Sequence, residues 1–559
     1  MATTSLQVVP ARKRVRQFRQ VVIWPLQLMP VHPDSQIQRH WEVLERKDPR
    51  NPWREVVDEF MGDPGEFRER DYNEFTTFLP HVQRFLYGEG RARRIAGVGP
   101  ADAHASPMRI YRRVDVTAVR LTPHADAEPR TFSVTHVDLY FFYDIDIVLL
   151  TVGIAATDLS LYDCEDTMYR FARAYPAEWE DDGEGLHCMH RVEWLGADGT
   201  VLAVSDTGQR QKFLSFVSRH RLPRISAHWA FLLQPLVLDQ TEDEGVIRYR
   251  LLEYYRMPLM TYLAVDEPRS LSRDDFVRLG LITAPGSEEP LPYSDRHLAD
   301  FEDEYCYDRF WDPRPGGPTT RYLCCGHALV VVGDASSPLC VNAERSVLSQ
   351  FRHQHFMLFL IAHFQRAALL MFSNRLVHAL NKLEIHDAES VKQFKRSIRQ
   401  NFEIFLRFTH RYWFHDVADQ ALAKALFRLT ARHLALDSLY AEIKERIYDM
   451  SEYLDSDSLR RQGNTVLRLT VVTTFGLIGT IVTGFLGMNL IADAGRPFAT
   501  KVLFFILVLI PTVGLTLYTI VKSKALSDLL ESLADERLST AEKYRALVSV
   551  WRRPRAPRP

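Results

Sequence analysis

The sequence predicts an α/β cytosolic domain, a mixed sheet with helices, followed by a long α-helical stalk and two C-terminal transmembrane helices. Three observations predict it. Residues 1–342 alternate strand-like segments, rich in β-branched and aromatic residues, with turn-rich pieces. Gly and Pro then disappear until Gly463 while apolar residues recur at three- and four-residue spacing. Two uncharged runs, 469–492 and 502–521, lie near the C-terminus, each long enough to span roughly 30 Å of hydrocarbon.

At the N-terminus a basic run (Arg12, Lys13, Arg14, Arg16, Arg19) precedes an apolar stretch at 21–29. Pro25 and Gln27 interrupt that stretch and no small-residue cleavage site follows it, so the pattern is that of a first strand after a solvated basic arm rather than a signal peptide. The run from Phe132 to Gly153 is dense in Val, Thr, Ile, Tyr and Phe with partial alternation, as expected for strands half buried in a sheet. Further strands are expected near 108–121, 186–204, 258–265 and 327–333, with loops around 96–107, 283–293 and 312–318, where Pro and Gly concentrate. From Ala343, the spacing of Phe351, Phe356, Leu358, Leu360, Ile361, Phe364 and Leu369 predicts long helices. His353, His355 and His363 ride on this stretch, but no Asp, Glu or Cys completes a ligand set, and they are read as ordinary helix histidines. A last soluble helix is expected from about Val417 through Leu436, Ile443 and Ile447 toward Leu459, heading into the first span.

The organisation follows: 1–342, an enlarged cytosolic α/β domain; 343–464, long helices and stalk; 465–491, a first transmembrane helix; 492–501, a short outer loop; 502–521, a second transmembrane helix; 522–559, a cytosolic basic tail. Arg460, Arg461 and Arg468 before the first span and Lys522 and Lys524 after the second place both flanks, and both termini, in the cytosol by the positive-inside rule, although Arg496 and Lys501 in the loop weaken the bias. In the tail, Leu529, Leu530, Leu533 and Leu538 fit an amphipathic helix ahead of Arg552, Arg553, Arg555 and Arg558. The tail reads equally as a solvated helix and as one that meets anionic lipid.

Composition narrows the function. Hydrophobic residues make up 46% of the chain and charged residues 25%, ordinary globular usage that leaves the membrane part a minority. A net charge of -2 provides no field to hold a nucleic acid. The six cysteines (Cys164, Cys188, Cys306, Cys324, Cys325, Cys340) contain no CxxC pair and are read as free thiols. There is no phosphate-binding loop, no GxGxxG and no GxSxG, so no enzyme chemistry, no ATP-driven step and no bound cofactor are expected. His187-Cys188-Met189-His190 offers metal-ligating side chains, but on a strand neighbours point to opposite faces, and no second pair is evident.

The first span is rich in small and hydroxylated residues (Thr470, Thr473, Thr474, Gly476, Gly479, Thr480, Thr483, Gly484, Gly487), whereas the second is greasier. The first is thus the better pore lining and the second the better lipid contact. At its outer end stands Phe485-Leu486-Gly487-Met488-Asn489. In that position, with a short loop and one more span to follow, the chain resembles the CorA-like metal-ion transporter superfamily, whose signature is Gly-Met-Asn. The resemblance covers about residues 415 to 525. It implies passive flux of a divalent cation, Mg2+ by default, through a homopentamer in the inner membrane. Asn489 would dock the hydrated ion through its amide oxygen, Gly487 would allow a tight bend and Met488 would pack behind it. Magnesium sheds its water reluctantly, so neutral oxygens that bond its hydration shell suit it. One helix face would line the pore: Val466, Leu469 (or Thr470), Thr473, Leu477, Thr480 and Gly484, the apolar members closing by dewetting. A rotation by one residue would exchange these for Gly476, Thr483 and their neighbours. The resemblance also implies regulatory Mg2+ near the stalk, for which Asp449, Glu452, Asp455 and Asp457 are candidates beside the reading of a merely solvated acidic face.

The chain departs from the family pattern in several places. Leu486 stands where members carry an aromatic residue before Gly-Met-Asn, Asp493 in the loop is countered by Arg496 and Lys501, and the soluble part is larger than usual. Two other readings therefore stay open: a zinc or other transition-metal transporter of the same superfamily, and a non-conducting membrane scaffold or sensor that has kept the hairpin.

Overall fold

In the computed structural model the described residues are 13–29, 40–44, 51–56, 69–88, 106–181, 183–239, 241, 245, 247–253, 256–286, 290–342, 346–384, 387–487, 495, 497–500, 502–503, 506–507, 509–511 and 513–514, with some side chains beyond 452 not described. Residues 1–447 form one compact unit and 448–559 another.

The first unit is built on two 16-residue strands, β1 (Arg14–Met29) and β6 (Ile145–Ser160), paired antiparallel along nearly their whole length from Arg14↔Ser160 to Gln27↔Ile147. The remaining strands are β2 (Trp53–Glu55), β3 (Met108–Arg113), β4 (Ala118–Thr122), β5 (Arg130–Phe142), β7 (Arg191–Leu195), β8 (Val201–Val204), β9 (Val237–Leu238), β10 (Arg248–Leu251), β11 (Leu259–Val265), β12 (Cys306–Tyr307), β13 (Arg321–Cys325) and β14 (Ala328–Asp334). They form one sheet in the order β12-β13-β14-β11-β1-β6-β5-β4-β7-β8, with β10 beside β1 and β3 beside β5. The β11–β14 pair is parallel in an otherwise largely antiparallel sheet, so the expected mixed sheet is present. Pro25, which has no N–H to give, falls where β1 changes neighbours, after the β11 ladder ends at Val22 and before the β10 ladder starts at Leu26.

One sequence expectation needs correction here. The basic arm is not a solvated arm: β1 starts at Arg14, and the outward Arg14 and Arg16 pair with Asp158 and Asp266. The run 132–153, expected as strands half buried in a sheet, is the hairpin of β5 and β6. Its two-residue turn is Tyr143-Asp144, with Asp144 at φ 63°. An aspartate tolerates this left-handed conformation without glycine, so no glycine marked the turn. The strands expected near 108–121, 186–204, 258–265 and 327–333 correspond to β3 and β4, β7 and β8, β11, and β14.

Both faces of the sheet are covered. Toward one face the alternate residues Val22, Trp24 and Leu26 of β1 and Val148, Leu150 and Val152 of β6 join a core with Trp194 and Trp229, whose rings lie edge to face at 5.9 Å. On the other face lies the helix Phe356–Asn381, entered through Val347–Gln350 and a single π turn, Phe351–His355. Phe364 stacks on Phe142 at 3.8 Å, and Phe356 meets the rings of His136 and Tyr140. Among the described residues one helical stretch is long and apolar enough to cross a membrane, Val347–Asn381, but 78% of its most apolar part is buried inside the protein. It is the core helix of this unit.

His355 and His363 are buried in that helix, and burial pushes their pKa values down to about 4 and about 3. Neither ring nitrogen of His363 has a partner. Both rings are therefore neutral at pH 7. Because the unfolded chain binds the proton near pH 6.5 and the folded chain does not, stability is lost as pH falls below that value, by about 1.4 kcal/mol per unit for each such histidine. Replacing His363 with Leu should leave the first unit at least as stable at pH 7 and flatten the fall in unfolding free energy between pH 6.5 and 4. Chemical denaturation followed across that range checks this, and a profile unchanged from wild type would refute it.

Candidate functional site

The candidate site is carried on one helix, Leu436–Gly487, of 52 residues. The helix expected from Val417 is in fact two, Ala421–His433 and Leu436–Gly487, separated by a sharp corner. Ala435 sits at φ 52° there, a left-handed position held by a small residue, so the break carries no glycine or proline that would mark it.

The corner is fixed by polar contacts to the sheet unit. Arg366 donates from Nη1 to the Leu434 carbonyl (2.8 Å) and from Nε to Glu253 (3.0 Å). Arg432 donates to the Glu304 carbonyl (2.7 Å), His433 Nε2 bonds the same oxygen (2.9 Å), and the His433 ring stacks on Tyr305. Gly326 allows close approach: a Cβ there would stand 2.9 Å from the His433 carbonyl oxygen. The first turns of the long helix pack by burying Ile443 and Ile447 and by stacking Tyr440 on Trp413 at 4.3 Å.

Beyond Tyr448 the helix continues without interruption to Gly487. Val466, Leu469, Thr470, Thr473, Leu477, Thr480, Gly484 and Gly487 recur at steps of three and four and are all exposed in the single chain, with Leu469 at 67% and Leu477 at 61%. These positions share one stripe of the helix, which is the face the sequence proposed. The threonines turn their hydrogens inward: Thr470 Oγ1 donates to the Val466 carbonyl (2.9 Å), Thr480 Oγ1 to that of Gly476 (2.9 Å), Thr483 Oγ1 to that of Gly479 (2.9 Å), and Thr473 likewise to Leu469. A hydroxyl whose hydrogen is committed to the i−4 carbonyl leaves its oxygen lone pairs for other partners. Sequence reasoning found the threonines but missed this polarity, which follows from their place inside a helix.

Gly487 is the last described residue of the helix, and Met488 and Asn489 lie outside the described residues. Asp449 and Glu452 are exposed and three residues apart, while the side chains of Asp455 and Asp457 lie outside those described. In the first unit Cys188 is buried, His187 bonds the Tyr169 hydroxyl (2.7 Å) and His190 pairs with Glu184 (2.7 Å). Among the described residues no three His, Cys, Asp or Glu side chains gather as a ligand set. The second uncharged run has helical backbone at its described residues between 502 and 514, and the basic tail lies outside the described part.

Residues 374–522 match the family described as CorA-like Mg2+ transporter protein. This segment is CorA-like. The match covers less than half of the chain, from the end of the core helix, across the long helix, to the second uncharged run. No curated protein matches the chain. The complete structure of the CorA magnesium transporter from Methanocaldococcus jannaschii is similar at 15% identity over 51% of this chain and 92% of that one, with a TM-score of 0.15, too loose a superposition to carry any argument about the fold. The CorA-like segment thus contains the whole stripe and the Gly-Met-Asn, whereas the sheet unit lies mostly outside the match.

The corner yields a prediction. Gly326→Ala forces the His433 carbonyl and the start of the long helix to shift, and should lower the stability of the first unit by about 1 to 3 kcal/mol. Thermal unfolding of the full chain checks this; a melting temperature equal to that of wild type would show that the corner yields freely.

Proposed function

We propose that the protein is a divalent metal cation channel or transporter of the CorA-like type, conducting Mg2+ passively through a homo-oligomeric pore, five copies around one axis. The observation that carries this is the uninterrupted helix Leu436–Gly487, with a stripe of committed threonine hydroxyls on one face and the Gly-Met-Asn of the sequence beginning at its last described residue. The CorA-like match over the same residues supports it.

In this reading 465–491 and 502–521 cross the inner membrane, 492–501 is the outer loop, and both termini are cytosolic. Asn489 rings the outer mouth and holds the ion through its water shell, with Gly487 and Met488 shaping and backing the ring. Below it Gly484, Thr480 and Thr473 face the axis. A hydrated cation presents water hydrogens outward, and oxygens whose own hydrogens are turned away accept them, so the ion passes without losing its shell. Leu477, Leu469 and Val466 form apolar rings that close by dewetting. Asp449, Glu452, Asp455 and Asp457 are the residues proposed to hold regulatory Mg2+ between subunits.

In liposomes containing the purified chain, Asn489→Ala should abolish most Mg2+ influx while leaving oligomer assembly unchanged; normal influx would sink the selectivity ring. Thr480→Val keeps the shape but removes the acceptor oxygen, and should cut influx roughly tenfold, the equivalent of one hydrogen bond. The same assay with a zinc-sensitive dye tests the transition-metal reading. Absence of either flux from inserted, folded protein would favour the scaffold.

A further inference from the structure

Among the described residues the sheet unit carries two arginines with no acid to meet. Other arginines of this unit face a carboxylate: Arg112 meets Asp138, the buried Arg113 and Arg321 meet Asp115 and Asp308, and the half-buried Arg366 meets Glu253. On β1 itself Arg14 and Arg16 pair with Asp158 and Asp266. Arg19 is the exception. It is half-buried, its Nε has no partner, and burial together with the nearby positive charge of Arg352 lowers its pKa. Arg352 is exposed and forms no ion pair among the described residues.

The strand registers show where these charges sit. Arg19 stands opposite Tyr262 on β11 and Ala155 on β6, and Ala155 stands opposite Ser133 on β5. One step along, Val21 faces Gly153, and Gly153 faces His136. A bulge at Val134/His136 and the absence of a side chain at Gly153 seat Thr135 and His136 above the sheet: a Cβ on Gly153 would fall 2.2 Å from Thr135 Oγ1 and 2.5 Å from the His136 ring. The entering turn of the core helix lies over the same face, with Phe351 on Tyr262 at 5.6 Å and Phe356 against His136 at 6.2 Å. Arg352 falls between these two anchors, in the π turn, above the strands that carry Arg19. Strands lie about 4.8 Å apart, so Arg19 and His136 are separated by roughly 10 Å, within reach of one compact ligand. His136 Nδ1 is 3.1 Å from Thr135 Oγ1, while its Nε2 has no partner. With the hydroxyl donating to Nδ1, Nε2 carries the proton and is a donor. Ser133, Thr135 and Thr157 supply exposed hydroxyls on the same strands.

The geometry points to an oxyanion site of the phosphate type on this sheet face, held by Arg19 and Arg352 with the hydroxyls of β5 and β6 at its rim. The Asp138 carboxylate that acts on His136 is held by Arg112, and no carboxylate acts on Arg19. Two guanidinium groups so placed repel each other, and a phosphate between them replaces that repulsion with charge-assisted, bidentate hydrogen bonds. The single π turn agrees with this, since such turns occur frequently at binding positions. The site is independent of the conducting helix.

The test is calorimetric titration of the full-length protein in detergent with inorganic phosphate, at fixed ionic strength and with chelator present to remove divalent cations. Wild type should bind saturably. Arg19→Gln and Arg352→Gln should each weaken binding about tenfold or more, the equivalent of one charge-assisted bond, and Arg14→Gln, whose cation already has a partner, should not. A second arm with ADP separates sources: tighter binding with the same dependence on both arginines assigns the site to a phosphate borne on a larger molecule. Without phosphate, Arg19→Gln should melt no lower than wild type, because a like-charge contact is relieved. A large drop in melting temperature would make Arg19 a packing residue and overturn the proposal, as would binding that is absent or equal in all variants.

Discussion

The β1–β6 ladder is the constraint on which the rest of the first unit depends. Two strands of 16 residues, paired antiparallel with both faces buried, fix which side chains point to which layer. A slip by one residue would send Trp24 and Leu26 toward the core helix and expose the other core. β5, β10 and β11 take their registers from this pair, and the core helix takes its place from the rings that β5 and β11 present, Phe142, Tyr140 and Tyr262.

The same helix passes that order onward. Arg366 leaves it to bond Leu434 at the corner, next to the left-handed Ala435, so the start of the long helix is set by the sheet rather than by its own sequence. Glu253, Glu304 and Gly326 reach the corner from three separate segments, a bend, the short helix Phe301–Tyr305 and the β13–β14 turn. Disturbing any one of them perturbs the seat of the helix that carries the threonine stripe.

The parts of the fold that were legible in the sequence are those where local pattern and tertiary role agree. β11 and β14 are apolar throughout and could be read directly, as could the core helix, whose apolar residues recur at helical spacing. The hairpin at Tyr143-Asp144 and the corner at Ala435 could not be read, because each uses a left-handed residue other than glycine, stabilised by contacts from remote segments such as Arg407 to Asp144 and Arg366 to Leu434. The arginines of the first strand looked like one solvated run because sequence does not show that Arg16 meets Asp266, 250 residues away, or that Arg19 meets no acid. At the candidate site the threonines and Gly-Met-Asn were legible as residues. The direction of the threonine hydrogens was not, since it depends on continuous helical backbone.

That direction has a consequence for how the stripe responds to its surroundings. Val466, Leu469, Thr473, Leu477, Thr480 and Gly484 include no group that gains or loses a proton in the range where proteins work. A surface of this kind discriminates by the orientation of dipoles, and acidity does not alter it. Any sensitivity of the protein to acid must then arise elsewhere. Within the sheet unit, buried neutral rings such as His355 and His363 are groups whose protonation would be felt.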